Sequence, residues 1–365
     1  MRTWRRMLAR LPQTGRPRRR SVLTGGTALA ALVATAGMPG LVGLCHALGE
    51  PPVDVPLSVP GPADSVSMPL ELAVRLGLDR AHGIALRLRF VGGGGVAISE
   101  LQSRNVDFAV AGLPAVVDAD LRGAQLMALA AISDLPLYTL MVRRDLQDVI
   151  HRVTDLRGRV VGLHGNSLRA KTTSQQLLEL LLRLDHVPLN SVRMVAAGQS
   201  WDTQSAALRS RAIDATLCDE LFGARMVREG IAFRLFSTGR PEDAARVPGS
   251  GFLRAVLVAR SDGIDANPQL AARMVEMLRA SLHWITMHGA GETADALGLA
   301  AGPERTTFED VFRQYPRQYS PDGRFSRRQL LETETFFREA EADNAGARYI
   351  SLDTAILDRW AGSKP

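Results

Sequence analysis

Four consecutive glycines, Gly92–Gly95, stand between the apolar run Ile84–Phe90 and a stretch with helical spacing. A glycine-rich turn of this kind can cradle a phosphate, because the backbone approaches the anion closely and a helix N-terminus faces it. The P-loop form of that chemistry needs a Lys-Ser/Thr pair after the glycines, and no lysine precedes Lys171. The dinucleotide form is met on paper: Gly92-x-Gly94-x-x-Ala97 fits it, with Asp118 or Asp120 placed about 20 residues on for a ribose hydroxyl. Against it, the preceding strand is not the first of its unit and the following helix is only about two turns long. Nucleophilic chemistry has one candidate past the N-terminal 49 residues, Cys218, inside the apolar run "ATLCDE" with no identifiable adjacent base. That placement reads as a buried structural thiol. His164 is a lone loop histidine, and no His/Cys/carboxylate spacing suggests a metal site. No catalytic residue, metal ligand or cofactor is therefore assigned.

The elements around these residues alternate. Val55–Val59 reads as a strand, 69–80 as a helix with apolar Leu70, Ala73, Val74 and Leu78 at helical spacing, Ile84–Phe90 as a strand and 96–103 as a short helix. "VDFAVAG" is apolar throughout, as in a sheet covered on both faces. "GRVVGLHGNSLRAKTTSQQLLELLLRL" reads as strand, loop and long helix, and "VRMVAAG" and "AIDATLCDEL" as strands. The alternation predicts an α/β fold with mainly parallel sheets. One echo is more informative than any single element: "LQSRNVDFAV" from Leu101 returns as "LRSRAIDATL" from Leu208, an offset of 107 residues. The same offset carries Gly92–Gly95 onto Gln199–Asp202 and Ala111-Gly112-Leu113 onto Cys218-Asp219-Glu220. This predicts two similar lobes, each presenting strand ends to a shared cleft, where open α/β sheets bind ligands. The glycine-free counterpart loop weakens the dinucleotide reading further. After residue 237 come a loop, the strand "FLRAVLVAR", a helix over 268–288 and a helical region over 303–362, with Phe308, Val311, Phe312, Leu330, Phe336 and Phe337 as packing residues.

Charge is concentrated at one end. Residues 1–49 hold eight arginines and no acid, which leaves 36 basic against 38 acidic residues in the rest of the chain. The net charge of +6 thus belongs to the N-terminus, and no nucleic-acid surface is expected on the body. Arg19-Arg20 before Ser21-Val22-Leu23 resembles a bacterial twin-arginine signal, followed by an apolar Gly/Ala-rich run over roughly 22–44 and small-x-small sites near Cys45-His46-Ala47. Residues 1–49 are accordingly expected to be a signal peptide engaging the twin-arginine export machinery. The body would be periplasmic or otherwise extracytoplasmic, soluble after cleavage and membrane-anchored if uncleaved. Cys218 would then be the sole cysteine, without a disulfide partner.

Four segments in series carry a family resemblance: "PLELAVRLGLDRAHGIALRLRFVGGGG", "ELQSRNVDFAVAGLPA", "TDLRGRVVGLHGNSLRAKTTSQQLLE" and "AALRSRAIDATLCDELFGARMV". From about 55 to 260 the chain resembles the substrate-binding proteins of ABC importers for nitrate, sulfonates and taurine, with the type II periplasmic binding fold. The resemblance implies a first lobe over 50–140, a second over 141–237, a return to the first with C-terminal helices over 238–365, and a two-strand hinge. It also implies an ABC permease and ATPase as partners and a small-molecule solute as ligand. Carried over by position, the ligand-facing residues are Ser65, Ser67 and Met68, the glycines Gly93, Gly94 and Gly95, then Gly112 and Leu113 from the first lobe. The second lobe offers Asn166 or Ser167 as a helix N-cap, with Gln199, Trp201 and Asp219. Arg169 and Lys171 would strengthen an anion-binding field, or else be solvated. Trp201 would stack on the ligand or cap the core. Asp219 and Glu220 at a strand end would prefer an amine, amidinium or hydroxyl-rich group, which argues for a small polar organic solute, sulfonate-, taurine- or pyrimidine-precursor-like, over a bare inorganic anion. The alternatives are an enzyme on the same fold and an exported dinucleotide-binding oxidoreductase.

Overall fold

The computed structural model describes residues 51–165 and 171–364. The expected signal segment and the Asn166, Ser167 and Arg169 positions lie outside the described residues. Ten strands form two sheets: β1 Val53–Val59, β2 Ile84–Phe90, β3 Phe108–Ala111, β4 Leu126–Ala131, β5 Tyr138–Arg143, β6 Val160–Leu163, β7 Arg193–Ala196, β8 Ala215–Asp219, β9 Ala232–Ser237 and β10 Val256–Arg260. The first sheet has the order β2-β1-β3-β10-β4 and the second β7-β6-β8-β5-β9. In each, four strands share one direction and the fourth in order runs against them: β10 is antiparallel to β3 and β4, β5 to β8 and β9. The chain crosses between the sheets twice, from β4 to β5 and from β9 to β10. This is the two-lobed α/β periplasmic binding fold.

The echo in the sequence is an echo in structure. Helix Gly94–Gln102 returns as Trp201–Arg209, and Leu113–Leu121 as Glu220–Arg228, each displaced by the same 107 positions. The turn between helix and strand repeats too, with Arg104 at φ 61° and Arg211 at φ 62°, non-glycine residues in the left-handed region.

Side-chain alternation explains the layers. In β10, Val256 and Val258 join the apolar cluster on one face of the first sheet, while Leu257 and Ala259 join the cluster on the other. β3 is buried at all four positions, as its unbroken apolar run requires. The edge strand β2 instead buries Ile84 and Leu86 and exposes Arg87 and Phe90. Element boundaries differ from expectation at several places, three of them informative. The helix expected over 69–80 is two, Met68–Arg75 and Leu78–Ala81, separated at Gly77, whose φ of 69° a helix interior cannot hold. The strand expected to begin at Phe252 begins at Val256, because Phe252 and Leu253 pack into apolar clusters before pairing starts. The helix expected from 96 begins at Gly94, which takes two of the four glycines into its first turn.

Candidate functional site

The C-terminal ends of β1, β2 and β3 face those of β6, β7 and β8, and the loops leaving them touch. The Gly165 amide donates to the Gly92 carbonyl at 2.9 Å. A methyl group on Gly93 would overlap the Gly165 backbone, standing 2.6 Å from its nitrogen, and one on Gly61 would overlap the Gln199 carbonyl. One on Gly112 would overlap the Thr173 hydroxyl. Gly93 and Gly112 have extended backbone angles open to any residue. What glycine supplies at these positions is close approach between the lobes.

Between the loops is a buried polar network centred on Arg254, at the second crossover. Its guanidinium donates from Nη2 to Asp219 Oδ2 at 2.6 Å, from Nη1 to Ser65 Oγ at 3.0 Å and from Nη1 to the Leu137 carbonyl at 2.9 Å. It lies 4.4 Å above the Tyr138 ring. The Ser65 hydroxyl donates to Asp219, and the Gln199 amide donates to Asp64, whose other oxygen accepts from the Val66 amide at 2.8 Å. Each lobe thus brings one acid to the arginine, Asp219 in direct hydrogen bond and Asp64 at 3.9 Å. Burial, then the Asp219 charge, pushes the Asp64 carboxyl up to about 7, while Arg254 pulls it back. Burial, helped by the Arg254 charge, pushes His164 down to about 3, so its imidazole is neutral.

A cavity of about 20 Å³ adjoins this network, lined among others by Gly94, Gly112, His164, Thr173, Gln199 and Arg254. That is the room one water needs. Three buried polar atoms of its lining residues have no hydrogen-bond partner among the described residues: His164 Nε2, Thr173 Oγ1 and Arg254 Nε. Helices Gly94–Gln102, Leu113–Leu121 and Thr173–Leu184 all begin at its wall. Their first-turn amides and positive dipole ends make the cavity a place for a hydrogen-bond acceptor or an anionic group. A larger cavity of about 390 Å³ lies outward of the same loops, lined by residues that include Met68 and Trp201.

The expected residues divide accordingly. Gly94, Gly112 and Gln199 line the inner cavity, and Ser65 and Asp219 belong to the network beside it. Gly93 is a lobe-to-lobe contact, and Gly95 is buried in the first turn of its helix. Ser67 is fully buried with its hydroxyl unpartnered among the described residues. Met68 and Trp201 line the outer cavity. Leu113 faces neither and packs in the apolar cluster behind β3. Four readings are corrected. The N-cap of the long helix is Thr172, whose hydroxyl accepts from the Gln175 amide, so the helix starts after the Asn166 and Ser167 positions. Asp219 and Glu220 are not open to an amine, since Arg254 and Arg234 neutralise them. Lys171 pairs with Glu179 and Glu341, each at 3.1 Å, rather than standing as a free cation for a ligand. Asp118 binds Arg122 and the Lys171 amide, and Asp120 accepts from the Leu126 amide, so neither is placed as a ribose ligand.

Asp64, Tyr138, Thr173 and Arg254 were not anticipated. Arg254 left a signal: it is the one charge inside "GFLRAVLVA", and a charge in a buried run demands partners. Cys218 is fully buried, and burial raises its thiol well above the usual range. Among the described residues no cluster of three metal-ligating side chains occurs, and no helix is long and apolar enough to cross a membrane.

Solved structures share this architecture. A protein from Bordetella bronchiseptica RB50 is 19% identical with a TM-score of 0.75, covering 85% of this chain and 96% of its own. The alkanesulfonate-binding protein SsuA from Xanthomonas axonopodis pv. citri, bound to MOPS, is 14% identical with a TM-score of 0.64, covering 84% and 99%. The desulfurization enzyme DszB is 18% identical with a TM-score of 0.54, covering 85% and 97%. A comparison with curated proteins finds no match. Residues 65–290 match the profile of the family described as NMT1/THI5 like, well over half of the sequence, and the chain belongs to that family.

Proposed function

We propose that this protein is an extracytoplasmic solute-binding protein that closes two lobes over a small polar organic solute and delivers it to an ABC permease and its ATPase. The observation that carries the reading is the inner cavity. Donors on Thr173 and Arg254 that have no partner among the described residues, the neutral His164 and three helix starts converge where the two sets of strand ends meet. A sulfonate, a carboxylate or the carbonyl edge of a pyrimidine precursor suits such a donor set. With Asp219 and Asp64 committed to Arg254 and Gln199, the described residues of the site offer no free carboxylate to an ammonium group. Within the solutes expected from the sequence, the balance moves towards those that lead with an acceptor or an anion. A group larger than water enters only when the lobes separate, by the hinge motion such folds use. We assign 50–140 and the return after 238 to the first lobe and 141–237 to the second. We assign residues 1–49 to twin-arginine export, with a periplasmic body.

Calorimetric titration of the body, residues 50–365, with alkanesulfonates, taurine, aminopyrimidines, nitrate and sulfate tests the reading. Saturable binding of an organic member, weakened by Thr173→Val, supports it. Binding confined to the inorganic anions sinks it. An enzyme on this fold is the competing reading, since DszB is an enzyme of the same architecture. Here burial holds the Cys218 thiol in its protonated, unreactive form. Turnover abolished by Cys218→Ala or His164→Ala would overturn the binding assignment.

A further inference from the structure

The outer cavity shares no lining residue with the inner one. In the loop after β1, Ala63 faces the outer cavity, Asp64 and Ser65 belong to the polar network, and Val66 faces the inner cavity. The network therefore lies on the boundary between two separate spaces. Much of the outer wall comes from Leu297–Phe308, past residue 290 where the family match ends. From its size of about 390 Å³, the space falls within the ~300–1,000 Å³ that small organic ligands occupy.

We infer that this outer cavity is a second binding site, for a monoanionic aromatic molecule. Trp201, Phe222 and Phe308 give it aromatic walls. The Trp201 indole is held in place, with the Arg225 guanidinium carbon 3.9 Å from its ring centre and Phe222 against its edge at 6.4 Å. A fixed ring offers stacking area at little cost in side-chain entropy. The charges decide the sign of the occupant. Arg225 is engaged by Glu229 at 2.8 Å and Glu304 at 3.5 Å. Glu71 accepts from the Ala63 amide at 2.9 Å; burial raises its carboxyl above the usual range, while that hydrogen bond and the Arg75 charge hold it down. Arg75, one turn along the helix from Glu71, faces the Glu71 charge but makes no hydrogen bond and no ion pair within 4.0 Å among the described residues. Among the described lining residues its guanidinium is wholly without hydrogen bonds, whereas Arg225 has Nε and Nη1 engaged. A planar ring between the aromatic walls, with a carboxylate or sulfonate reaching Arg75, satisfies both features.

Titration of the body with 2-naphthoate, 2-naphthylmethanol and 2-naphthylmethylammonium tests this. Naphthoate is expected to saturate below millimolar concentration and to bind tighter than the alcohol or the cation. Trp201→Ala should weaken it about tenfold. Arg75→Gln, at an exposed position that leaves folding intact, should weaken it about fivefold and leave the alcohol unchanged. Gly94→Val, which fills the inner cavity, should leave naphthoate affinity unaltered. Absence of saturation, equal or tighter binding of the cation, or loss of naphthoate in Gly94→Val but not in Arg75→Gln would each overturn the inference. Naphthoate binding with no response to the solute panel would refute the inner-cavity reading and keep this one.

Discussion

Gly93→Ala isolates what the glycine loop does. The residue sits at φ 167°, extended backbone that alanine adopts without strain, so the first lobe loses nothing by the exchange. The cost arises across the cleft. The added methyl would lie 2.6 Å from the Gly165 nitrogen and 2.9 Å from its carbonyl carbon, and would overlap its oxygen. Those are backbone atoms of the other lobe, with no rotamer to move aside. Relief needs a separation of the loops by roughly 1 Å, or the overpacking cost of about 1–3 kcal/mol. Applied to the closed form alone, that cost lowers the closed-to-open ratio by about 5- to 150-fold. The apparent affinity for a solute held by closure falls by up to the same factor. Gly61→Ala meets the Gln199 carbonyl, 2.7 Å from its carbon, and should act the same way. One opening motion relieves both clashes, so the double variant should cost less than the sum of the singles. Small-angle scattering should show a larger radius of gyration for each variant, with the thermal midpoint within a few degrees of the parent. Equal compactness and equal affinity in Gly93→Ala would refute the argument. A large fall in the thermal midpoint would do so too, by showing that the glycine serves the lobe itself.

Three further outcomes are expected. Arg254→Met leaves Asp219 buried and uncompensated, at 1% side-chain exposure, and should cost about 3–5 kcal/mol in urea unfolding; adding Asp219→Asn should recover most of it. The pH dependence of stability should separate two opposed groups. Asp64 has a folded value raised to about 7, with Asp219 and Arg254 facing it, so the folded state holds the extra proton and stability falls as pH rises from about 4 to 7. His164, lowered to about 3, adds stability as pH rises from about 3 to 6.5. Thermal midpoints between pH 4 and 6.5 should therefore climb more steeply in Asp64→Asn and fall with pH in His164→Gln. Finally, a thiol reagent should label Cys218 of the 50–365 body only on unfolding, given its full burial; rapid labelling of the folded body would reopen nucleophilic readings.

The sequence made the fold legible because two local signals repeat. Apolar runs such as "VDFAVAG" and the 107-residue echo specify both the elements and their duplication, and the structure keeps that register down to the positive φ of Arg104 and Arg211. The site was legible only as a set of strand ends. Gly94, Gly112 and Gln199 follow from position in the echo, since a strand's end faces the cleft whatever residue stands there. Arg254 and Asp64 were hidden because their meaning lies in distant partners. Arg254 meets Ser65 across 189 positions of chain, and Asp64 meets Gln199 across 135. Such pairings form only after the crossovers are made, and they leave no local period in the sequence. Trp201 was ambiguous for a related reason: its neighbours in space, from Leu297 to Phe308, come from a segment whose placement the alternating elements do not determine.

The antiparallel strand β10 has a consequence for how the chain comes to be folded. All five strands of the second sheet lie between residues 138 and 237, so that sheet is complete as soon as residue 237 is available. The first sheet is not: β4 reaches β3 only through β10, which pairs Val256 with Ala111 on one side and with Ala131 on the other. Until residues 256–260 arrive, β4 has no neighbour and the β2-β1-β3 half ends in an open edge. Closing it joins segments some 145 residues apart, a slow step by the entropy of the loop involved. During synthesis the second sheet is thus the first to close, although its apolar cluster still waits for Phe252, Phe336 and Ala340, and the first sheet waits, with an unpaired edge to be shielded, for the chain to return.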